Sequence, residues 1–165
     1  MVHKIDPDQN VIKLLYAIIK NHSVLTTPYK KITKEEFLNI SLPTSDVEND
    51  FQIKWHLSNY NRKYLIAAGS LLKARRITNA IIYPSYSMMG WHTNSNYEGI
   101  RTYYTYTEDE AVFRYVDSNG DIQLDYDNIG WTRRTFKIQK ENPLWHSIWA
   151  KTNRYSFGFM TDDID

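Results

Sequence analysis

Two histidines in the second half of the chain have the residue type and the setting that a metal centre requires. His92 follows one apolar, aromatic-rich run, and His146 lies within a later one. Arg154 comes eight residues after His146 and shortly before Ser156. Two imidazoles leave coordination positions open on a divalent metal, and the planar guanidinium of arginine binds a carboxylate through two hydrogen bonds. A single histidine in such a strand is more often a half-buried residue that bonds to the backbone. The hypothesis of a metal centre therefore depends on His92, His146 and Arg154 together.

The alternation of residues after Asn153 supports a ligand site inside a barrel or sandwich. In a strand, successive side chains point to opposite faces. Arg154, Ser156 and Gly158 therefore share one face, and the aromatic residues between them share the other. A polar and small face opposite an aromatic face is typical of a strand that lines a ligand cavity. On the preceding run, His146 shares a face with Ile148, so we expect its imidazole to point inward.

Further motifs precede the second histidine in a fixed order. Tyr83 stands before Pro84, and His92-Thr93-Asn94 follows after a short interval. Arg101 comes nine residues after His92. Tyr104 and Tyr106 lie later in the same apolar run.

The order and spacing of these motifs, over about residues 80–160, resemble the iron(II)- and 2-oxoglutarate-dependent oxygenases, particularly the prolyl-hydroxylase-like branch and its small phage-type members. The resemblance implies a double-stranded β-helix core, Fe(II) as metal, 2-oxoglutarate as co-substrate, and hydroxylation of an unactivated carbon, with a protein or peptide as the favoured substrate. It assigns the metal to His92, Asn94 and His146. The co-substrate positions that it implies are Arg154, Ser156, Tyr83 and either Tyr104 or Tyr106, with Tyr106 preferred.

Asn94 departs from the family pattern, which has Asp or Glu at this position. Its amide oxygen can ligate iron but brings no charge. Three interpretations stay open: a weak ligand in a working oxygenase, a position left to water, halide or nearby Glu98, or a scaffold that has lost catalysis. We favour the first, because Arg154, Ser156 and the tyrosines all remain.

The elements that position these residues are predicted as helices followed by strands, an α+β arrangement in one domain of 1–165. Residues 1–79 are expected to form mainly helical support, with helix starts at Asp6-Pro7 and at the Thr33–Glu36 capping box, and a third helix over about 61–76. Residues 80–160 are expected to form the jelly-roll core, because short aromatic and β-branched runs alternate with turn signals. The predicted strands are 80–86, 100–107, 111–116, 122–126, 132–138, 144–149 and 154–160.

Composition narrows the classes of function. The chain has 165 residues, a formal net charge of +1 and no cysteine, which excludes disulfide and cysteine-metal chemistry. The near-zero charge gives no support for nucleic-acid binding, and no apolar run approaches a membrane span or a signal peptide. We therefore expect a cytoplasmic protein without membrane contact; the sequence does not indicate its oligomeric state.

Competing interpretations keep the same fold with other functions. A catalytically lapsed jelly-roll binding or structural module would not require the set His92, His146 and Arg154. A nucleobase or small-molecule oxygenase of the same superfamily would share the whole site. A metal isomerase of cupin type would bind metal and show no response to 2-oxoglutarate.

Overall fold

The computed structural model describes residues 1–43 and 54–163, and these form three helices and eleven strands. The helices are α1 (Gln9–Lys20), α2 (Lys34–Leu38) and α3 (Arg62–Leu71). The strands are β1 (Val2–Ile5), β2 (Ser23–Val24), β3 (Trp55–Ser58), β4 (Arg76–Tyr83), β5 (Ser87–His92), β6 (Gly99–Thr107), β7 (Ala111–Val116), β8 (Ile122–Tyr126), β9 (Gly130–Ile138), β10 (His146–Ala150) and β11 (Arg154–Thr161).

The strands form two antiparallel sheets that pack face to face. The large sheet has the order β1-β9-β6-β11-β4-β3-β2, and the small sheet has the order β5-β10-β7-β8. Apolar side chains from both sheets meet in one cluster, including Ile81, Phe113, Phe136 and Ile148. The predicted antiparallel sandwich of jelly-roll type is thus confirmed at the level of two packed β-sheets with supporting helices.

Helices α1 and α3 cover the outer face of the large sheet. The apolar side of α1, with Leu15 and Ile18, packs against Phe157 and Phe159 of β11. Asp8 caps this helix through bonds from the amides of Asn10 and Val11. The predicted start at Asp6-Pro7 is therefore wrong, because Asp8 rather than Asp6 accepts the free amides.

Helix α2 covers the outer face of the small sheet. Its start at Thr33 is confirmed, because Thr33 and Glu36 form a complete capping box. Phe37 of this helix and Trp91 of β5 lie on the Arg114 guanidinium, at 4.4 and 4.3 Å from the ring centroids. Among the described residues, Arg114 forms an ion pair with no carboxylate. Burial lowers the pKa of this guanidinium to about 10, so it stays charged at neutral pH.

The predicted division into a helical part and a β part is wrong in detail. Strands β1, β2 and β3 lie within residues 1–79 and extend both edges of the large sheet. The third helix ends at Leu71 rather than near Arg76, because β4 begins at Arg76. Strand β5 was not predicted, since all six of its residues are buried and show no polar alternation. No helix in 1–43 or 54–163 is both long and apolar enough to cross a membrane.

Candidate functional site

The two predicted histidines lie opposite each other on neighbouring strands of the small sheet. His92 ends β5, His146 begins β10, and the two are direct antiparallel partners. Their ring centroids are 4.0 Å apart, and both residues are 2 % exposed. His92 Nδ1 lies 2.7 Å from the Gly90 carbonyl oxygen, and His146 Nδ1 lies 2.8 Å from that of Leu144. With Nδ1–H donating to a carbonyl, the neutral form of each ring has its lone pair on Nε2, which is the usual arrangement of metal-binding histidines.

A β-bulge brings His92 to this position. Met89 and His92 both face the interior although they are three residues apart, because the pairing of β5 with β10 shifts register between His146 and Ile148. In a regular strand, residues three apart point to opposite faces. The bulge therefore allows both the apolar Met89 and the imidazole to face the space between the sheets.

The protonation state of His92 suits metal binding. Burial, with a smaller contribution from the charge of Lys54, lowers the pKa of His92 to about 4, although the hydrogen bond to Gly90 favours the protonated form. The imidazole is therefore neutral at physiological pH. Neutral imidazole is the form that binds metals.

Asn94 joins the histidine pair through its side chain. Its amide nitrogen lies 3.2 Å from His146 Nε2. Its backbone has a φ of 56°, a left-handed conformation in which Asn and Asp are enriched. Rotation of the amide by half a turn would exchange its nitrogen and oxygen, and would present Oδ1 beside Nε2.

No carboxylate completes a metal cluster in the described part of the chain. Three or more His, Cys, Asp or Glu side chains do not come together anywhere in residues 1–43 and 54–163. Glu98, the sequence-based alternative to Asn94, accepts a hydrogen bond from the Lys140 amide at 2.8 Å and does not line the cavity beside the histidines. Among the described residues, the donors that a metal could use here are thus two imidazoles and one amide.

A cavity of about 70 Å³, called here the inner cavity, lies between the sheets beside the histidines. Arg154 and Ser156 of β11 line it, as predicted, and are 3 % exposed each. Tyr83 of β4 also lines it, with its hydroxyl 3.5 Å from Met89 Sδ. Burial raises the pKa of Tyr83, so the phenol stays protonated. The predicted inward face of β11 is therefore confirmed.

Arg154 shares a buried carboxylate with a second arginine. Its Nε donates to Asp127 Oδ2 at 2.7 Å, and Arg134 donates to Asp127 Oδ1. Arg134 also donates to Asp125 Oδ2 at 2.6 Å. Burial alone would raise the pKa of Asp127, but the charges and hydrogen bonds of Arg154 and Arg134 outweigh it and hold that pKa below its ordinary value.

The free hydrogen-bonding capacity of Arg154 faces the inner cavity. Within the described residues, its only side-chain hydrogen bond runs through Nε, so its terminal nitrogens remain available. The guanidinium groups of Arg154 and Arg134 share the buried carboxylate of Asp127. The second partner of Arg134, Asp125, has a side chain that is 23 % exposed. With Asp125 included, the cluster has two cations and two carboxylates, and the feature that it offers to the inner cavity is the terminal nitrogens of Arg154.

The preference for Tyr106 as a co-substrate residue is wrong, because its side chain points away from the inner cavity. Tyr106 packs on Tyr16, Trp131 and Tyr155 at the outer face of the large sheet, and does not line the inner cavity. Tyr104 lies in the core under α1, so it faces the same way. Side chains of β6 alternate, and the tyrosine that lines the inner cavity is Tyr103.

Sequence reasoning also missed Asp127 and Arg134. Asp127 follows β8 in a segment rich in turn residues, and an aspartate in such a segment is expected to be exposed rather than buried. Arg134 was not assigned to the site from the sequence, but it is 2 % exposed and lines the inner cavity. The alternation of side chains on β9 could have revealed it, because Arg134 shares a face with Thr132 and with the apolar Phe136.

The sequence matches no protein-family model, and no curated protein is significantly similar to it.

Proposed function

We propose that this chain is an iron(II)- and 2-oxoglutarate-dependent dioxygenase that hydroxylates an unactivated carbon, with a protein or peptide side chain as substrate. The observation that carries the proposal is the pair His92 and His146. Both imidazoles are buried on opposed strand positions, and both are fixed through Nδ1 by backbone carbonyls. Arg154 and Ser156 face them across the inner cavity from the other sheet.

The strand order supports a double-stranded β-helix for strands β4 to β11. Along the chain these strands alternate between the sheets, except for the hairpin β7–β8 within the small sheet. The result is β9-β6-β11-β4 facing β5-β10-β7-β8. Eight antiparallel strands in two four-stranded sheets agree with a jelly roll built from two Greek keys.

In this proposal, His92, His146 and Asn94 hold the iron, and Arg154 with Ser156 holds the far carboxylate of 2-oxoglutarate. Iron and 2-oxoglutarate together supply the dioxygen chemistry that no side chain can perform. The donor set that the described residues offer fits the metal, because imidazoles and an amide oxygen are ordinary ligands for Fe(II). The neutral third ligand makes the predicted iron affinity lower than that of a site with a carboxylate.

The chain's own residues contribute binding, orientation and exclusion of water. The carbonyls of Gly90 and Leu144 fix the orientation of the two rings. Asp127 holds the Arg154 guanidinium through Nε and leaves the terminal nitrogens for a carboxylate. Apolar side chains such as Ile81, Phe113 and Phe136 form the remaining wall and limit access of water.

A lapsed binding module is the second candidate, and two observations favour it. The described residues bring no carboxylate to the histidine pair. The arginine expected to bind 2-oxoglutarate already has a carboxylate partner, Asp127. A binding module of this kind would keep the sandwich and lose the response to metal and co-substrate.

An anaerobic titration of Fe(II) and 2-oxoglutarate distinguishes these candidates. The oxygenase is expected to develop a weak visible band at roughly 500 nm, as a keto acid chelated to iron does. Mn(II) with 2-oxoglutarate should raise the melting temperature, because a ligand that binds only the folded state stabilises it. His146→Asn should abolish both effects.

The matched control is His22→Asn. His22 Nδ1 also lies 2.7 Å from a backbone carbonyl, that of Ile19, but His22 is outside the cavity. This variant should keep the band. A band that forms only in Asn94→Asp would support the lapsed module, and the absence of a band in wild type and in Asn94→Asp would refute the oxygenase proposal.

A further inference from the structure

A second and larger cavity, called here the basic cavity, adjoins the histidine pair. Its volume is about 300 Å³. Lys54, Asn79, Ile81, Asn94 and Tyr103 line both cavities, so the two spaces meet at the wall that contains the third predicted metal ligand. A molecule bound in the basic cavity would therefore lie beside the candidate iron position.

The charged side chains among the described lining residues of this cavity are all cationic. Lys54, Arg76 and Arg101 line it, and no Asp or Glu is among its described lining residues. Arg76 lies over the ring of Tyr97, with its guanidinium carbon 4.7 Å from the ring centroid. This contact orients a planar cation at the cavity wall. A concave site lined by side chains of one charge attracts ligands of the opposite charge.

Arg101 is the buried member of this group. It is 4 % exposed, and its Nη2 donates to the Tyr97 carbonyl at 2.7 Å. Its Nη1 is buried and has no hydrogen-bond partner among the described residues. A buried, unsatisfied donor on a charged group is costly and rare in proteins. The ligand that satisfies it must be an acceptor, and an anion does so best.

The electrostatics of Arg101 agrees with that requirement. Burial lowers the pKa of Arg101, the neighbouring Tyr103 opposes this effect, and the charge of Arg76 lowers the pKa further. Two guanidinium groups thus repel each other across a cavity without a carboxylate in its described wall. An anion between them would remove this repulsion and favour the charged form of both.

We propose that the basic cavity binds an anionic group of the substrate, a phosphate or a carboxylate, between Arg76 and Arg101. The role as a substrate subsite rests on the proposed dioxygenase function, whereas the anion site stands on the cavity alone. The anionic group would anchor the substrate so that its reacting carbon lies toward His92 and His146. The substrate class is therefore an acidic molecule or an acidic side chain of a protein.

The test measures anion binding by metal-free protein in the presence of a chelator, at low ionic strength. Inorganic phosphate and acetate are the two probes, and isothermal titration calorimetry gives the dissociation constants. We expect Arg76→Gln and Arg101→Gln each to weaken binding about tenfold or more, because hydrogen bonds to charged groups are the strong ones. Which probe binds more tightly identifies phosphate or carboxylate as the natural group.

Arg75→Gln is the matched control. Arg75 precedes Arg76 directly, but it pairs with Asp162 at 2.7 Å and does not line the cavity. This variant should bind as wild type does. Arg76 is exposed, so its variant tests the site even if the buried Arg101 variant fails to fold. Absence of binding of both probes, or equal binding by wild type and Arg76→Gln, would overturn the proposal.

The two proposals fail in distinguishable ways. His146→Asn should lose the response to iron and 2-oxoglutarate and keep the binding of the anion. If wild type binds the anion through Arg76 and shows no iron response, the anion site is retained and the dioxygenase proposal fails. If the iron response is present and neither anion binds, the substrate class proposed here is wrong.

Discussion

The stability of the metal-free protein should fall as the pH decreases from neutral, because of His92. Its pKa in the folded chain is about 4, while an ordinary histidine has a value of 6.5. The unfolded chain therefore takes up a proton between these two values that the folded chain does not. The contribution to the unfolding free energy is lost as the pH falls below the unfolded pKa, and the loss levels off below the folded pKa.

The size of the effect follows from the two pKa values. The full difference corresponds to roughly 3 kcal/mol of unfolding free energy. Between about pH 7.5 and about pH 4.5, the expected loss from this group is about 2.5 kcal/mol. Urea denaturation followed by tryptophan fluorescence, with a chelator present, measures this difference directly.

His92→Asn isolates the contribution of this imidazole. The amide of asparagine can keep the donor to the Gly90 carbonyl, and it does not titrate. The variant should lose about 2.5 kcal/mol less than wild type over the same pH interval. His22→Asn, which changes an imidazole outside the cavity, should follow wild type. An equal pH dependence of wild type and His92→Asn would refute the conclusion that His92 is buried as a neutral ring.

Three further perturbations test other parts of the site. Asn94→Asp should raise the affinity for Mn(II) about tenfold or more in calorimetry, because it adds a unit negative charge beside a divalent ion. An unchanged affinity would show that residue 94 does not contact the metal. Asp127→Asn should lower the unfolding free energy by about 3–5 kcal/mol in urea, because it leaves two buried guanidinium groups without their shared carboxylate; a loss below about 1 kcal/mol would contradict this dependence. Gly158→Ala should cost about 1–3 kcal/mol in the same assay, because an added Cβ would overlap Asn79 Oδ1. An unchanged midpoint would argue against this tight packing.

The parts of the fold that sequence predicted are strands with alternating side chains or with turn residues at both ends. Strands β7 and β8 have the predicted bounds, and the predicted inward face of β11 is the observed one. Side chains of β8 alternate between a more exposed and a less exposed face, and those of β11 between polar or small and aromatic types, whereas β7 is marked by the turn residues on both sides of it. Strand β5 lacks this signal, since both of its faces are covered.

The parts of the site that sequence missed depend on long-range contacts. The bulge opposite His146 changes which residues of β5 point inward, and no local motif marks it. The choice between Tyr104 and Tyr106 left out Tyr103, and an odd number of residues along a strand reverses the face of the side chain. Asp127 gains its role only from Arg134 and Arg154, which are 7 and 27 residues further along the chain.

The site takes its parts from both sheets, with the histidines on β5 and β10 and the arginine pair on β9 and β11. A ligand that touches both sets joins the two layers of the sandwich without any covalent link. Its binding should slow amide hydrogen exchange in β5 and β11 together, although no backbone bond connects these strands. On gradual heating, the two sheets should separate from each other before either sheet loses its own hydrogen bonds. The ligand should therefore be released at this first step.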